Sequence, residues 1–247
     1  MMDSATRSNA IFAGLILLAA ALAATAPFLP QGSFLPVEEL PLSPPRLALI
    51  NGAAMLVLYG GIGYLGLRLT RLLGWTDVWA PDDDPMDRWY VPGALGLGLG
   101  VAFIAVDTIA ASRHALEALP HPPFPTSIIA SAVAAISEEV LFRLFLLPTG
   151  VWILSDVMLG GRLRDGVFWI LAIFSGLAFA AGHLPSVTVL YGLEVGELPA
   201  PLLVEIFLLN GALSLVAAQQ LRAHGLLAAV GVHWWVDVVW HVLWGLA

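Results

Sequence analysis

Seven long apolar stretches run through the chain, and short polar segments separate each one from the next. They span residues 10–29, 47–70, 90–112, 127–159, 166–185, 199–221 and 226–246. A helix needs about 20 apolar residues to cross the hydrocarbon core of a bilayer. The pattern therefore predicts seven membrane-spanning helices.

Composition supports this interpretation, because 59% of the residues are apolar, 11% are charged and the mean hydropathy is +0.88. A soluble domain would be about one quarter charged. We therefore predict an all-α fold, a polytopic transmembrane helical bundle of about seven or eight helices whose active site is buried among the later helices. No internal repeat divides the chain, so residues 1–247 are interpreted as a single integral membrane domain.

Charge and cysteine content exclude several classes of function. The net charge is −8 and all ten basic residues are arginines, so the chain has no basic patch for nucleic acid. Cysteine is absent, which excludes disulfides, thiolate nucleophiles and thiolate metal sites.

Arginine positions orient the predicted helices. If seven helices alternate, Arg46 and Arg113 lie on one side of the membrane, and Arg143 lies within a helix. The other side holds Arg7, Arg68, Arg71, Arg88, Arg162, Arg164 and Arg222. Because basic residues are enriched in cytoplasmic loops, we expect a multi-pass cell-membrane protein of a bacterial inner membrane, with a cytoplasmic N-terminus.

The first apolar stretch ends in ALAATA, which resembles a signal-peptidase site. The stretch is longer than a usual signal sequence, and Arg7 beside Asp3 is the basic residue that precedes it. We therefore expect a retained helix.

Ionisable residues within membrane spans are costly and mark functional sites. The predicted spans contain Asp107, Glu138, Glu139, Arg143, Asp156, His183, Glu205, His233, Asp237 and His241. Glu139 and Arg143 are four residues apart on one helical face, which favours a structural ion pair. Glu138 points about 100° away, so it must meet a group on another helix, carry a proton or contact water.

The histidines offer partners for Glu138. His183 follows Phe179 by one turn, where a lone histidine is more often a hydrogen-bonded interface residue than a ligand. His233, Asp237 and His241 form one polar stripe, and a carboxylate one turn from an imidazole can orient that ring. Since the chain has neither cysteine nor a GxSxG run, activation of water by a glutamate, with histidine help and oxyanion donors, is the fitting chemistry.

Helix depth argues against a simple meeting of these residues. At 1.5 Å per residue, Glu138 and His183 lie about 30 Å and about 27 Å from the cytoplasmic ends of their helices, whereas His233 lies about 12 Å from its own. Tilt, a kink at Pro148 or unequal helix ends must account for the difference.

Three motifs resemble those of the CPBP family of intramembrane proteases, which includes the type II CAAX prenyl endopeptidases and the bacterial Abi proteins. EEVLFR (138–143), FAAGH (179–183) and HWWVD (233–237) are similar to its EExxxR, FxxxH and Hxxx(N/D) motifs. The resemblance covers about residues 128–245, which we interpret as a CPBP-like catalytic core.

The resemblance implies a role for each matching residue. Glu138 would be the general base on water, aided by His183, while His233 and Asp237 would stabilise the oxyanion or orient the substrate. The supporting residues would be Glu139, Arg143 and Phe179. Asp237 replaces the asparagine of the prenyl endopeptidases, so it must either carry a proton or act by orienting His233.

The implied activity is hydrolysis of a peptide bond in a membrane-anchored or lipidated protein, as in CAAX-type or C-terminal sorting-segment processing. No cofactor is expected and no metal ligand is assigned; a zinc site of Glu138, His183 and His233 is the alternative, because zinc needs about three protein ligands. A proton-coupled transporter and a non-catalytic membrane scaffold or immunity protein are the rival functions. The expected partners are the bilayer and the anchored substrate, and the sequence does not determine an oligomeric state.

Overall fold

The structure, a computed structural model, describes residues 3–32, 42–79, 84–116 and 118–247. It is 83% helical, with no strand in these ranges. Seven helices within them are long and apolar enough to cross a membrane. They are α1 (Ser4–Phe28), α2 (Pro44–Leu72), α3 (Met86–Ala111), α4 (Thr126–Met158), α5 (Arg164–Tyr191), α6 (Ala200–His224) and α7 (Leu226–Leu246). The predicted polytopic helical bundle is confirmed.

Helix α7 lies between α3 and α6, and α6 also packs along α5. Helix α1 packs against α2 and α4, where Phe12 and Ile16 join Val140 and Leu144 in one buried apolar cluster. The three helices that carry the motifs are thus held from both sides by the rest of the bundle.

Glycines allow α3 to approach α7 closely. A Cβ atom at Gly96 would lie 2.5 Å from the carbonyl oxygen of Val232, and one at Gly100 would lie 2.6 Å from Cβ of Val239. Small residues at such crossings let helix backbones pack together in membranes. The two contacts, at Val232 and Val239, hold α7 against α3 before and after His233 in the chain.

Two of the motif helices change their winding directly after a motif acid. Helix α4 is regular over Thr126–Glu138 and continues as a π-helix over Glu139–Leu146. Helix α7 is regular over Leu226–Asp237 and continues as a π-helix over Val238–Leu243. π-helical turns are rare and often occur at functional sites.

Helix α5 breaks at its motif. Its regular part, Arg164–Gly182, ends just before His183, and a second helix, Leu184–Tyr191, follows at once. Pro185 lies in the first turn of that second helix, where its missing N–H costs nothing. The break places His183 at a corner between the two helical segments.

Unequal helix ends account for the depth difference expected from the sequence. The N–H of Leu226 at the start of α7 donates to the carbonyl of Asp77, 2.9 Å away, and Leu226 is fully buried beneath that loop. The last turns of α4 instead extend outward, with Val157 and Met158 more than half exposed. Because α7 starts deeper in the bundle than α4 ends, the two motifs reach the same level.

Candidate active site

The three motifs meet around one cavity of about 230 Å³. Glu138 reaches it from α4, His183 from the break in α5, and His233 and Asp237 from α7. The four residues that the sequence predicts as catalytic are therefore brought together, in the half of the bundle formed by the later helices.

The ring of His233 is held on one side by Glu139. Its Nδ1 lies 2.8 Å from Oε1 of Glu139, whose other oxygen lies 3.2 Å from Nε of Arg143. Because a carboxylate paired with a guanidinium accepts hydrogen bonds, Nδ1 carries the hydrogen and donates it. Glu139 thus does more than the ion pair predicted for it, since it also orients the histidine.

The other ring nitrogen of His233 faces two carboxyl groups. Nε2 lies 3.7 Å from Oε2 of Glu138 and 3.7 Å from Oδ2 of Asp237. These separations exceed a direct hydrogen bond, but one water can reach both partners across such a gap. The Glu138 side chain is 31% exposed and that of Glu139 is fully buried, so Glu138 is the motif glutamate open to the cavity.

Phe179 supports both histidines and the arginine. Its carbonyl accepts a hydrogen bond from Nδ1 of His183 at 2.8 Å, which leaves Nε2 of that ring available. Its own ring meets His183 and His233 edge to face, with centroids 4.9 and 6.0 Å apart. The Arg143 guanidinium stacks 4.3 Å from the same ring, an arrangement that stabilises a cation.

The contact between Arg143 and Glu139 is an ion pair rather than a well-aligned hydrogen bond. Both side chains are fully buried, and the guanidinium nitrogens have no hydrogen-bond partner of good geometry among the described residues. The arginine charge is therefore balanced by the carboxylate and by the Phe179 ring face.

The remaining ionisable residues predicted within spans have different surroundings. Asp156 pairs with Arg164 at 2.7 Å, at the opposite end of the bundle from the cavity. Asp107 and Glu205 are buried on neighbouring helices, and Asp107 accepts the N–H of Leu119 at 3.2 Å. Asp107 thereby anchors the connection between α3 and α4, and neither residue lines the cavity.

That connection forms part of the cavity wall. Leu119 and Pro120 line it, as does His241 of α7. Nδ1 of His241 lies 3.3 Å from Nδ1 of His121, which joins the connection to the last helix. Burial lowers the pKa of His121, and the nearby charge of Asp107 opposes the shift.

Asn210 of α6 also lines the cavity and was missed from the sequence. Its Nδ2 donates to the carbonyl of Ile206 at 2.9 Å, which leaves its second amide hydrogen for a ligand. The signal was a carboxamide within an apolar span, but a neutral amide is less costly there than the ionisable groups that mark functional sites most clearly.

No group of three or more histidine, aspartate or glutamate side chains in the described ranges is arranged to hold a metal ion. One nitrogen of each motif histidine is already engaged, by Glu139 for His233 and by a carbonyl for His183. The expectation that no cofactor is needed stays a prediction.

A comparison with known protein families finds a match for the part of the chain that contains the motifs. Residues 120–239 match the family model described as type II CAAX prenyl endopeptidase Rce1-like, and this segment contains all three motifs. No curated protein and no solved structure matches the chain. Together with the seven apolar helices, the match identifies a multi-pass membrane protein. Over residues 120–239, which contain the three motifs, the chain resembles the CPBP/CAAX protease family.

Proposed function

We propose that the protein is an intramembrane endopeptidase in which Glu138 activates a water molecule. One observation carries the proposal: Glu138 is open to a cavity that it shares with His183, His233 and Asp237, while its neighbour Glu139 is committed to holding His233. A free carboxylate beside oriented imidazoles is the arrangement that general-base activation of water requires.

The chemical steps follow from these positions. Glu138 takes a proton from the water as its oxygen attacks the carbonyl carbon of the scissile peptide bond. Nε2 of His183 is available because the hydrogen bond to the Phe179 carbonyl uses Nδ1. Nε2 accepts a hydrogen bond from the second O–H of the water and so orients the water. Glu138 then gives the proton to the amide nitrogen, the C–N bond breaks, and the amine leaves.

The negative charge on the carbonyl oxygen needs donors while the tetrahedral intermediate lasts. We assign this role to the Asn210 amide, which lines the same cavity, and to His233 as an imidazolium among three carboxyl groups, whose Nε2–H then also donates. Because Glu139 already orients His233 through Nδ1, Asp237 is not needed for that purpose. It would act as a carboxylic acid, donating a hydrogen bond to the oxyanion while it keeps its proton.

The substrate is a membrane-anchored protein or peptide. Prenylated CAAX peptides come first for testing because of the family match, and C-terminal transmembrane sorting segments come second. The enzyme should act without a metal, through the glutamate and the histidines alone.

The test is cleavage of a reconstituted panel of both peptide types by the wild type, Glu138→Gln and His183→Ala, each with and without chelator. Loss of about 10²–10⁴-fold in rate is expected for Glu138→Gln, the usual contribution of a general base. Loss in both variants with activity that survives chelation supports the proposal. Loss on chelation with recovery in zinc would replace it with a metal mechanism, and no cleavage by a folded wild type would favour the scaffold.

A further inference from the structure

Two buried carboxyl groups meet outside the catalytic cavity, between α3 and α6. Asp107 of α3 is 1% exposed and Glu205 of α6 is 2% exposed. Their side chains lie within hydrogen-bonding reach of each other. As carboxylates both would be acceptors only, and two like charges in one buried site cannot both persist. At least one of the two groups therefore carries a hydrogen.

The available donors decide which of the two carries it. Oδ1 of Asp107 accepts the N–H of Leu119 at 3.2 Å. Apart from Asp107, no donor among the described residues reaches either oxygen of Glu205. A hydrogen bond from an N–H favours the charged form of a carboxyl group, so Asp107 is the anion and Glu205 is the neutral acid. The O–H of Glu205 then donates to Oδ2 of Asp107, which has no other donor in the described ranges.

Two other ionisable groups lie near the pair. Arg113, two residues beyond the end of α3, lines the same surface depression as Glu205 but donates no hydrogen bond to its oxygens. Burial lowers the pKa of His121 in the connection, and the nearby charge of Asp107 opposes that shift. Since neither group donates to Glu205, the carboxyl of Glu205 is satisfied by keeping its own hydrogen and donating it to Asp107.

One backbone hydrogen bond links the pair to the catalytic cavity. Asp107 accepts the N–H of Leu119, and Leu119 and Pro120 form part of the cavity wall. The side chain of Leu119 also packs against the buried apolar clusters that contain Leu209 and Ile206 of α6. The main chain of this wall is therefore held by the carboxyl pair, while its side chain is held by apolar packing.

We propose that Glu205 is a positioning residue of the active site. As a neutral carboxylic acid it donates a hydrogen bond to Asp107, and Asp107 in turn holds Leu119 in the cavity wall. The proposal deepens the endopeptidase assignment and rests on it, and it adds a residue that lies outside the cavity. Without the Glu205 donor, the buried Asp107 anion would take up a proton or admit water, and its hydrogen bond to Leu119 would weaken.

The first experiment detects the hydrogen on Glu205 in the intact protein. The C=O stretch of a protonated carboxyl group is separate from the carboxylate bands and shifts in heavy water. Infrared spectra at neutral pH are compared for the wild type, Glu205→Gln and Glu197→Gln, a matched control because Glu197 is an exposed acid just before α6. We expect a protonated-carboxyl band that is lost in Glu205→Gln and retained in Glu197→Gln. Retention of every such band in Glu205→Gln would overturn the proposal.

The second experiment tests whether this hydrogen supports the cavity wall. Glu205→Gln replaces the O–H donor with an amide N–H, whereas Glu205→Leu has a similar volume and no donor. In Glu205→Leu the protection factor of the Leu119 amide in hydrogen exchange should fall by about tenfold, the usual effect of losing a hydrogen bond to a charged group. It should stay near wild type in Glu205→Gln, with amides of α1 as the internal reference for global unfolding. Unchanged protection in Glu205→Leu would show that Asp107 holds Leu119 without Glu205, which would overturn the proposal.

The third experiment uses a peptide that the wild type cleaves. Glu205→Leu should raise KM by about tenfold and change kcat less, because Leu119 and Pro120 line the cavity but supply no reacting group. Glu205→Gln should keep KM near wild type. An unchanged KM in Glu205→Leu would overturn the link between the pair and the active site. Absence of cleavage by the folded wild type would instead refute the endopeptidase assignment, and the infrared and exchange results would still decide whether Glu205 holds the connection.

Discussion

Removal of the Glu139 carboxylate while Arg143 remains should destabilise the protein strongly. The two charges lie 3.2 Å apart with both side chains fully buried. At an effective dielectric constant of about 20, the Coulomb energy at this distance is about 5 kcal/mol. Breaking a buried pair by removing one partner typically costs about 3–5 kcal/mol, so Glu139→Leu should lower the free energy of unfolding by a similar amount.

A double-mutant cycle isolates this interaction from the change in side-chain packing. Glu139→Leu, Arg143→Met and the double variant are compared by reversible unfolding in detergent or bicelles. The double variant should recover most of the lost stability, because replacing a buried ion pair with apolar residues of similar volume is often neutral or stabilising. If the two single substitutions lower the free energy of unfolding additively, the coupling energy is near zero. That result would refute a stabilising ion pair between Glu139 and Arg143.

A third variant separates stability from the orientation of His233. In the double variant Glu139→Gln with Arg143→Met, the amide oxygen can still accept the Nδ1 hydrogen that Glu139 accepts at 2.8 Å. In Glu139→Leu with Arg143→Met, no acceptor remains at this position. At comparable stability, kcat/KM should be about 100-fold lower for the leucine form, the usual effect of misplacing a catalytic group. Equal activities would show that Glu139 does not orient the histidine.

Three further predictions concern the surroundings of the site. Asp237→Asn should retain activity and extend it to higher pH, because an amide donates at every pH whereas a carboxyl donates only when protonated; a pH–rate profile that loses activity throughout would contradict this role. Gly100→Val should lower the free energy of unfolding by about 1–3 kcal/mol, since its Cβ would meet Val239, whereas Gly98→Val, with nothing within 4 Å, serves as the matched control in the same unfolding assay. Because burial lowers the pKa of His121, the folded connection favours neutral His121 and is most stable above about pH 6.5. The protection factor of the Leu119 amide in hydrogen exchange should therefore fall between pH 7.5 and pH 5, and His121→Phe should abolish that fall.

Much of the fold could be predicted from the sequence because the bilayer imposes a strong rule on composition. Spanning helices must be apolar for about 20 residues, so the seven spans stand out without any knowledge of packing. The pair of Glu139 and Arg143 could be predicted for a similar reason, since both residues lie on one helix at a fixed spacing.

Contacts between helices could not be predicted in this way. Spacing along α7 made Asp237 the natural partner to orient His233, but the structure gives that position to Glu139 from α4. The Nδ1 side of the ring faces Glu139 of α4, a feature of packing between helices rather than of periodicity. Likewise, the count of residues from each helix end assumed level ends, and the buried start of α7 at Leu226 removes that assumption.

The two adjacent glutamates can perform different tasks because one residue along a helix is a rotation of about 100°. That rotation turns Glu139 toward Arg143 and His233, where its side chain is fully buried and both oxygens are engaged. It turns Glu138 into the cavity, with 31% of its side chain exposed. A single glutamate could not orient the histidine through Nδ1 and also remain free to take a proton from water. The pair therefore separates a structural carboxylate from a reactive one within a single turn of α4, and the π-helical segment that begins at Glu139 lies where the two roles divide.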